Sequence, residues 1–125
     1  MPNLSLIILY VDSAPASAEF YTGLLGRTPA EASPGFAMFP LAGGVGLGLW
    51  TRGGVAPPVA APAGGAEVAF MAADVDAVHA AWTARGLTIA QPPTDMEFGR
   101  TFVALDPDGH RLRVFAPLDS AGAGR

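Results

Sequence analysis

The chain repeats one pattern of local structure twice. Each half begins with an alternating apolar strand, LSLIILYV and then AEVAFMA, and continues into an amphipathic helix that ends at a glycine, Gly26 and then Gly86. Each half ends in a hairpin whose last strand is apolar and aromatic, GVGLGLW and then GHRLRVF. A repeat of this length predicts two copies of one supersecondary unit. The predicted fold class is therefore α+β, with two βαβββ modules whose mixed sheets curl around a shared cleft.

Length and composition set the expected organisation of the chain. With 125 residues, of which 50% are hydrophobic, we expect one domain over residues 1–125 with a substantial core. We place the first module at 4–51 and the second at 66–116. The stretch 52–65 is rich in Gly, Pro and Ala without periodicity, which is typical of a linker. We expect a mobile tail over 117–125.

Two local patterns lead to more specific expectations. In the first helix, Ala16, Phe20 and Leu24 recur at the spacing of one helical face, which predicts that they pack on the sheet. In the second module we expect a short strand over 87–90 and then a loop over 91–99, because QPPTDMEFG contains two prolines and a glycine.

Charge and residue usage exclude several classes of protein. The net charge is −4, the seven basic residues are all arginines, and they are scattered, so we expect no nucleic-acid partner. The chain has no cysteine, which excludes disulfides, thiol nucleophiles and thiolate metal sites. No apolar run reaches membrane-spanning length, so we expect no membrane partner. The run LSLIILYV is not preceded by the basic segment that a signal peptide needs, because the first basic residue is Arg27, so we interpret it as a strand. The expected location is the cytoplasm.

Three stretches together resemble a known family. VDSAPASAEFYTGLLG, VAFMAADVDAVHAAWTARGL and GRTFVALDPDGHRLRVF are similar to segments of the vicinal oxygen chelate superfamily, which includes glyoxalase I, bleomycin-resistance proteins and extradiol dioxygenases. The resemblance covers about residues 4–116 and is nearest to the metal-free, bleomycin-resistance-like members. It implies the glyoxalase/bleomycin-resistance-like fold, in which paired βαβββ modules form a cleft, often in a homodimer.

The resemblance also implies where a metal would be held. Family enzymes use one side chain on each first strand and one on each last strand of the two modules. These positions correspond here to Leu6 and Glu67, and to Gly48 and Arg113. Leu6 and Gly48 carry no donor atom, and Arg113 is a permanent cation without an acceptor. Because only Glu67 offers a ligand, we expect no metal and no other cofactor.

Glu67 and Arg113 interrupt apolar strands, and strand alternation places both on the cleft side. We therefore predict that they lie within salt-bridge distance. Two interpretations remain open: a charge pair that orients a polar ligand, or a structural ion pair in a former metal site. If the protein is an enzyme, Glu67 is the candidate catalytic base, since a carboxylate in an apolar cleft can accept a proton.

Strand alternation also predicts the lining of the cleft, with aromatic and thioether side chains suited to a planar apolar ligand. Phe98, in MEFGRTF, resembles the aromatic-Gly loop that borders the cleft in bleomycin-resistance-like members. The predicted ligand-binding residues are Leu6, Ile8, Tyr10, Gly48, Trp50, Glu67, Met71, Phe98, Arg113 and Phe115. The alternative is that the aromatic rings are core or dimer contacts. Trp82, by contrast, has the helical spacing of a residue that packs on the sheet.

Other polar residues have ordinary structural explanations. Asp106 and Asp108 lie in DPDG, which is typical of a turn in which an Asp caps its own backbone and the Gly takes a positive φ. His79 and His110 are interpreted as surface or packing residues. Arg100 extends either to the mouth of the cleft or into solvent.

The sequence leaves three hypotheses for function. The favoured one is a non-catalytic protein that binds a small, mostly apolar or aromatic molecule and so sequesters a drug. The alternative is a lyase, isomerase or dioxygenase that uses Glu67 or an unrecognised metal set, and a purely structural partner module is the third. The expected partners are a small molecule and a second copy of the chain, with modules paired within a chain or exchanged between subunits.

Overall fold

The computed structural model describes residues 2–118, and these form two compact units whose boundary falls between Gly65 and Ala66. Each unit contains one four-stranded sheet and one α-helix. The predicted mobile tail starts at 117, but Pro117 is the last residue of a strand, and residues 119–125 lie outside the described part of the chain.

The first unit contains β1 (Leu6–Val11), α1 (Ala14–Leu25), β2 (Glu31–Ala32), β3 (Phe36–Pro40) and β4 (Gly46–Thr51). Its strands lie in the order β1-β4-β3-β2. The first and last strands are parallel neighbours, and the other pairs are antiparallel. Short 3₁₀ turns at Ala42–Gly44 and Arg52–Gly54 flank β4.

The second unit contains β5 (Glu67–Met71), α2 (Val75–Ala84), β6 (Thr88–Met96), β7 (Gly99–Leu105) and β8 (Arg111–Pro117). Its strand order, β5-β8-β7-β6, reproduces the order of the first unit, and β5 is again parallel to β8. The predicted α+β fold class with two βαβββ modules is therefore confirmed.

Both helices begin at the side chains that the sequence favours for capping. Ser13 Oγ accepts a hydrogen bond from the backbone N–H of Ala16 at 3.2 Å, and Asp74 Oδ1 accepts one from Ala77 at 3.0 Å. These bonds satisfy donors that the first turn of a helix leaves without partners. With 12 and 10 residues, neither described helix is long and apolar enough to cross a membrane.

The face of α1 that packs on the sheet differs from the predicted face. The prediction chose Ala16, Phe20 and Leu24, but Ala16 is exposed and the other two are only partly buried. The buried residues of the helix are Ala14, Ser17, Ala18 and Tyr21. Apolar residues occur on several sides of this helix, so periodicity did not single out one face. The small residues allow close approach to the sheet, while Tyr21 fills the remaining volume.

The prediction for residues 87–99 was also wrong. The short strand and loop are replaced by β6, which continues through both prolines to Met96 and turns at Glu97 and Phe98 into β7. The register shifts between Ile89 and Gln91 and again before Thr94, as in β-bulges. Because β6 is an edge strand, its prolines do not remove hydrogen bonds that a second neighbour would need.

The core of the second unit is built on Trp82. Its ring meets Phe70 and Phe102 edge to face, with centroids 5.8 Å and 5.4 Å apart. Phe102 also contacts the ring of His79 at 5.2 Å, so His79 is a packing residue. The prediction that Trp82 packs between helix and sheet is confirmed, since only 9% of the residue is exposed.

We predict that Gly99→Ala destabilises the protein strongly. Gly99 has φ +142°, and a Cβ at this position would overlap the carbonyl oxygen of Ala116 on the neighbouring strand. Backbone strain and overpacking each cost about 1–3 kcal/mol, so the free energy of unfolding in a urea titration should fall by at least about 2 kcal/mol. Gly53→Ala is the control, because no atom lies within 4 Å of a Cβ there. Similar stability of the two variants would contradict the prediction.

Candidate functional site

Each sheet has one face that packs on its helix and one that does not, and the second is called the open face. In the first unit, Leu9, Ala37 and Leu49 are buried against α1, so the alternate residues form the first open face. Its members are Leu6, Ile8, Tyr10, Phe36, Met38, Gly46, Gly48 and Trp50. In the second unit the second open face contains Glu67, Ala69, Met71, Gln91, Thr101, Val103, Arg111, Arg113 and Phe115.

The first open face carries a row of three aromatic residues. The strand register pairs Tyr10 with Trp50 and Trp50 with Phe36 across β1, β4 and β3. The rings of Phe36 and Trp50 meet edge to face with centroids 6.3 Å apart. Tyr10 is 37% exposed. The aromatic row is therefore available to a flat apolar molecule.

Glycines in β4 let neighbouring side chains lie across the first open face. A Cβ on Gly48 would be 3.1 Å from the Phe36 ring and 3.2 Å from Ile8 Cγ1. A Cβ on Gly46 would be 3.0 Å from Met38 Sδ. Beside these residues is a cavity of about 350 Å³, whose walls are mostly apolar and include Leu6, with Glu31 as its one charged lining residue.

The second open face is built around an ion pair. Arg113 Nε donates to Glu67 Oε2 at 2.8 Å, which confirms the predicted contact between these residues. A second guanidinium, that of Arg111, lies with its Nε 3.1 Å from the other oxygen, Oε1. The Arg113 side chain is 16% exposed, whereas those of Glu67 and Arg111 are 38% and 52% exposed.

Arg113 is held on three sides. Besides Glu67, its Nη1 donates to Thr101 Oγ1 at 3.2 Å, and Thr101 Oγ1 in turn donates to the Val114 carbonyl at 2.8 Å. The guanidinium carbon lies 5.8 Å from the centroid of the Phe98 ring, a cation–π distance. These contacts fix the guanidinium beside an aromatic wall.

That wall consists of Phe98, from the β6–β7 turn, and Phe115, whose rings meet edge to face at 6.3 Å. Phe98 is 44% exposed and Met71, next to Phe115 in the register, is 71% exposed. On β6, Gln91 Nε2 contacts Met96 Sδ at 3.8 Å, while Gln91 Oε1 is buried without a hydrogen-bond partner among the described residues. The second open face thus combines charge, aromatic surface and one buried acceptor.

The residues at the positions that bind metal in related enzymes do not fit a metal ion. Gly48 is covered by the Phe36 ring, and Leu6 lies among apolar atoms. Arg113 directs its charge at Glu67, whose two oxygens each already form an ion pair with a guanidinium group. A divalent cation prefers several oxygen or imidazole donors, and this set supplies one carboxylate beside two positive charges.

A different group of possible donor atoms lies in the β7–β8 turn. One donor atom each from Asp106, Asp108 and His110 lies within 4.8 Å of the others. However, Asp106 Oδ1 accepts from the backbone N–H groups of Asp108 and His110, and Oδ2 is 2.8 Å from His110 Nδ1. Gly109 has φ +87°. The interpretation of this segment as a self-capping turn is confirmed, and His110 is a buried packing residue.

Arg100 has a role that neither sequence-based alternative anticipated. It lies on the helix side of its sheet, where its guanidinium donates to both carboxylate oxygens of Asp76 and to Asp95 Oδ1, all at 3.0 Å. The hydrogen bond from Arg100 holds the pKa of Asp76 below its usual value. This cluster borders a groove of about 500 Å³ between the start of α2 and the ends of β6 and β8.

The predicted ligand-binding residues therefore form two groups. Leu6, Ile8, Tyr10, Gly48 and Trp50 share the first open face, while Glu67, Met71, Phe98, Arg113 and Phe115 share the second. The prediction missed Phe36, Thr101 and Arg111. Arg111 and Arg113 are two apart in RLR, so strand alternation would have placed both on one face. The positions of Phe36 and Thr101 on the open faces could be assigned only from the strand register, which the sequence does not provide.

We predict that the coupling between Glu67 and Arg113 exceeds that between Glu67 and Arg111. The first pair is largely desolvated on the arginine side, so a double-mutant cycle with alanine should give about 1–2 kcal/mol. The Arg111 side chain is half exposed, so its cycle should give less than about 1 kcal/mol. Urea unfolding of the single and double variants measures both terms. Equal coupling energies for the two pairs would contradict the prediction, because the partial burial of Arg113 would then not strengthen its interaction with Glu67.

Comparisons with known proteins agree with this architecture. The family model described as Glyoxalase/Bleomycin resistance protein/Dioxygenase superfamily matches residues 3–114. The chain is 36% identical over 125 residues to the phenazine antibiotic resistance protein EhpR of Enterobacter agglomerans, covering 94% of this chain and 92% of that protein.

Two solved structures extend the comparison. Protein ATC0852 from Agrobacterium tumefaciens is 49% identical with a TM-score of 0.83, covering 94% of this chain and 98% of its own. A glyoxalase/bleomycin resistance protein/dioxygenase from Nocardioides is 30% identical with a TM-score of 0.75, covering 94% and 84%. The chain therefore belongs to the glyoxalase/bleomycin resistance protein/dioxygenase superfamily.

Proposed function

We propose that the protein binds a planar aromatic small molecule on its open faces and sequesters it without chemical change. The observation that carries the proposal is the exposure of aromatic and thioether side chains on those faces. Large apolar side chains are mostly buried in folded proteins. Here the exposed fractions are 37% for Tyr10, 44% for Phe98 and 71% for Met71. Contiguous exposed apolar surface is typical of binding sites.

The proposed ligand class is the phenazine antibiotics. The similarity to EhpR extends over nearly the full length of both chains, and the name of that protein states resistance to a phenazine antibiotic. A fused, flat ring system also suits the aromatic row of Tyr10, Trp50 and Phe36, because offset and edge-to-face ring contacts add about 0.5–1.5 kcal/mol to simple burial.

We propose that binding needs no metal and that the protein is not an enzyme. The donor atoms at the positions that resemble family metal ligands do not form a metal site. Glu67, the candidate base, already accepts a hydrogen bond from Arg113 on Oε2 and forms an ion pair with Arg111 through Oε1, which leaves it poorly placed to take a proton from a substrate. The enzymatic alternative would require Glu67 to release one of these partners.

We also propose that the protein is a homodimer. The strand β1 lies at the edge of its sheet and carries the apolar sequence LIILYV, so its outer backbone groups have no strand partner among the described residues. Ile7 on this strand is 50% exposed, and Leu4 just before it is 69% exposed. An exposed apolar edge strand favours association with a second chain.

The binding proposal is tested by isothermal titration calorimetry with phenazine in buffer containing EDTA. We expect saturable binding, unaffected by the chelator. Trp50→Ala should weaken binding on the first open face and Phe115→Ala binding on the second, in each case at least about tenfold, a loss of about 1.4 kcal/mol, because each variant removes a ring from its own face.

Phe20→Ala is the matched control for these variants. Phe20 is a half-buried aromatic residue on α1, which packs on the side of its sheet opposite the first open face, so its removal should leave the dissociation constant within about twofold. Absence of binding by the unaltered protein would refute the proposal, as would equal losses in all three variants.

The dimer proposal is tested by light scattering at micromolar concentration. We expect twice the chain mass of 12.7 kDa. Ile7→Lys should give monomer, because it places a charge on the edge strand, whereas Thr83→Lys on the exposed side of α2 should leave the mass unchanged. A monomeric mass for the unaltered chain would count against the proposal.

A further inference from the structure

The second open face carries an excess of positive charge in an acidic protein. The whole chain has 11 acidic residues against seven arginines, yet two of those arginines, Arg111 and Arg113, share this face with one carboxylate, Glu67. The local sum is therefore +1, opposite in sign to the net charge of −4. Among the residues that the structure describes on this face, Glu67 balances one guanidinium and the charge of the other has no second carboxylate.

The way Glu67 binds the two arginines leaves their outer nitrogens available. Each guanidinium uses its Nε for Glu67, with Arg113 on Oε2 and Arg111 on Oε1. Arg113 Nη1 is occupied by Thr101 Oγ1. Within residues 2–118, Arg113 Nη2 and both terminal nitrogens of Arg111 have no hydrogen-bond acceptor. The carboxylate of Glu67 thus orients two cationic donors and does not saturate them.

Apolar surface lies directly beside these donors. The Phe98 ring is 5.8 Å from the Arg113 guanidinium carbon, and Phe115 packs edge to face on Phe98. Met71 is largely exposed next to Phe115. A ligand that covers Phe98 and Phe115 would therefore remove water from Arg113, and its Nη2, which has no acceptor among the described residues, would be buried without a hydrogen bond, which is unfavourable.

We infer that the second open face selects aromatic acids over neutral aromatic molecules, with Arg111 and Arg113 as the residues that determine this specificity. The ring of the ligand lies on Phe98, Phe115 and Met71, and its carboxylate accepts from Arg113 Nη2 and from the terminal nitrogens of Arg111. Planar guanidinium groups bind carboxylates through directed, charge-assisted hydrogen bonds, which a neutral amide cannot match. The inference rests on the proposed function and adds the ionic class of the ligand.

The test compares two phenazines that differ in one group. Phenazine-1-carboxylate and phenazine-1-carboxamide have the same rings and nearly the same shape, so calorimetric titration of the full-length protein with each isolates the effect of the charge. We expect the carboxylate to bind at least about tenfold more tightly, and we expect this preference to shrink as the salt concentration rises.

Variants assign the preference to the second open face. Arg111→Gln should reduce the ratio of the two affinities to about threefold or less, mainly by weakening binding of the carboxylate, because it removes one of the two proposed donors to that group. The Arg111 side chain is 52% exposed and its ion pair among the described residues is with Glu67, so we expect the variant to fold. Arg85→Gln is the matched control. It removes the same charge from an exposed position at the end of α2, so the ratio should stay as in the unaltered protein.

The outcomes separate this inference from the proposed function. Equal affinity for both phenazines, or an equal change in the two arginine variants, would overturn the inference and leave phenazine binding in place. If neither phenazine binds, the proposed function fails. An NMR titration with 2-naphthoate then decides the inference alone: shifts of the Arg111 and Arg113 Hε resonances support an aromatic-acid site, and their absence overturns it.

Discussion

The parallel pairing of the first and last strands within each module is the constraint on which both open faces depend. A parallel pair cannot be closed by a hairpin, so the chain passes through a helix and two further strands before it returns. That return brings Glu67 next to Arg113 although they are 46 residues apart in the chain. It also places Tyr10 beside Trp50 in the first module. Each helix covers one side of its sheet and leaves the other side as the open face.

The same backbone carries different chemistry in the two modules. Equivalent positions hold Leu6 and Glu67 on the first strands, and Gly48 and Arg113 on the last strands. In the first module the small residue allows the Phe36 ring to lie across the strand, which produces an apolar aromatic surface. In the second, long charged side chains replace it and assemble into an ion pair next to aromatic rings. A repeated fold thus offers one apolar face and one face with directed charge.

The second face also depends on the β6–β7 hairpin. Gly99 lies so close to Ala116 that only a residue without a side chain fits, and this close approach keeps the turn at Phe98 against β8. On the opposite side of the same hairpin, Arg100 is bound by Asp76 and Asp95. The contacts on the two sides orient Phe98 beside Arg113. The position of the aromatic wall therefore depends on backbone packing as well as on Phe98 and Phe115 themselves.

The sequence by itself determined the features that depend on short-range periodicity. Alternation along single strands identified the face that carries Glu67 and Arg113, and DPDG predicted its own turn, because each of these depends on neighbours within a few residues.

Only the tertiary structure decided the remaining features. The buried side of α1, the continuation of β6 through its prolines and the contact of Arg111 with Glu67 all depend on register and on the reach of side chains across strands. Local patterns do not encode these quantities, because an apolar helix can pack on several faces and an edge strand tolerates bulges. The excess positive charge of the second open face is of this kind, since it arises only where β5 meets β8.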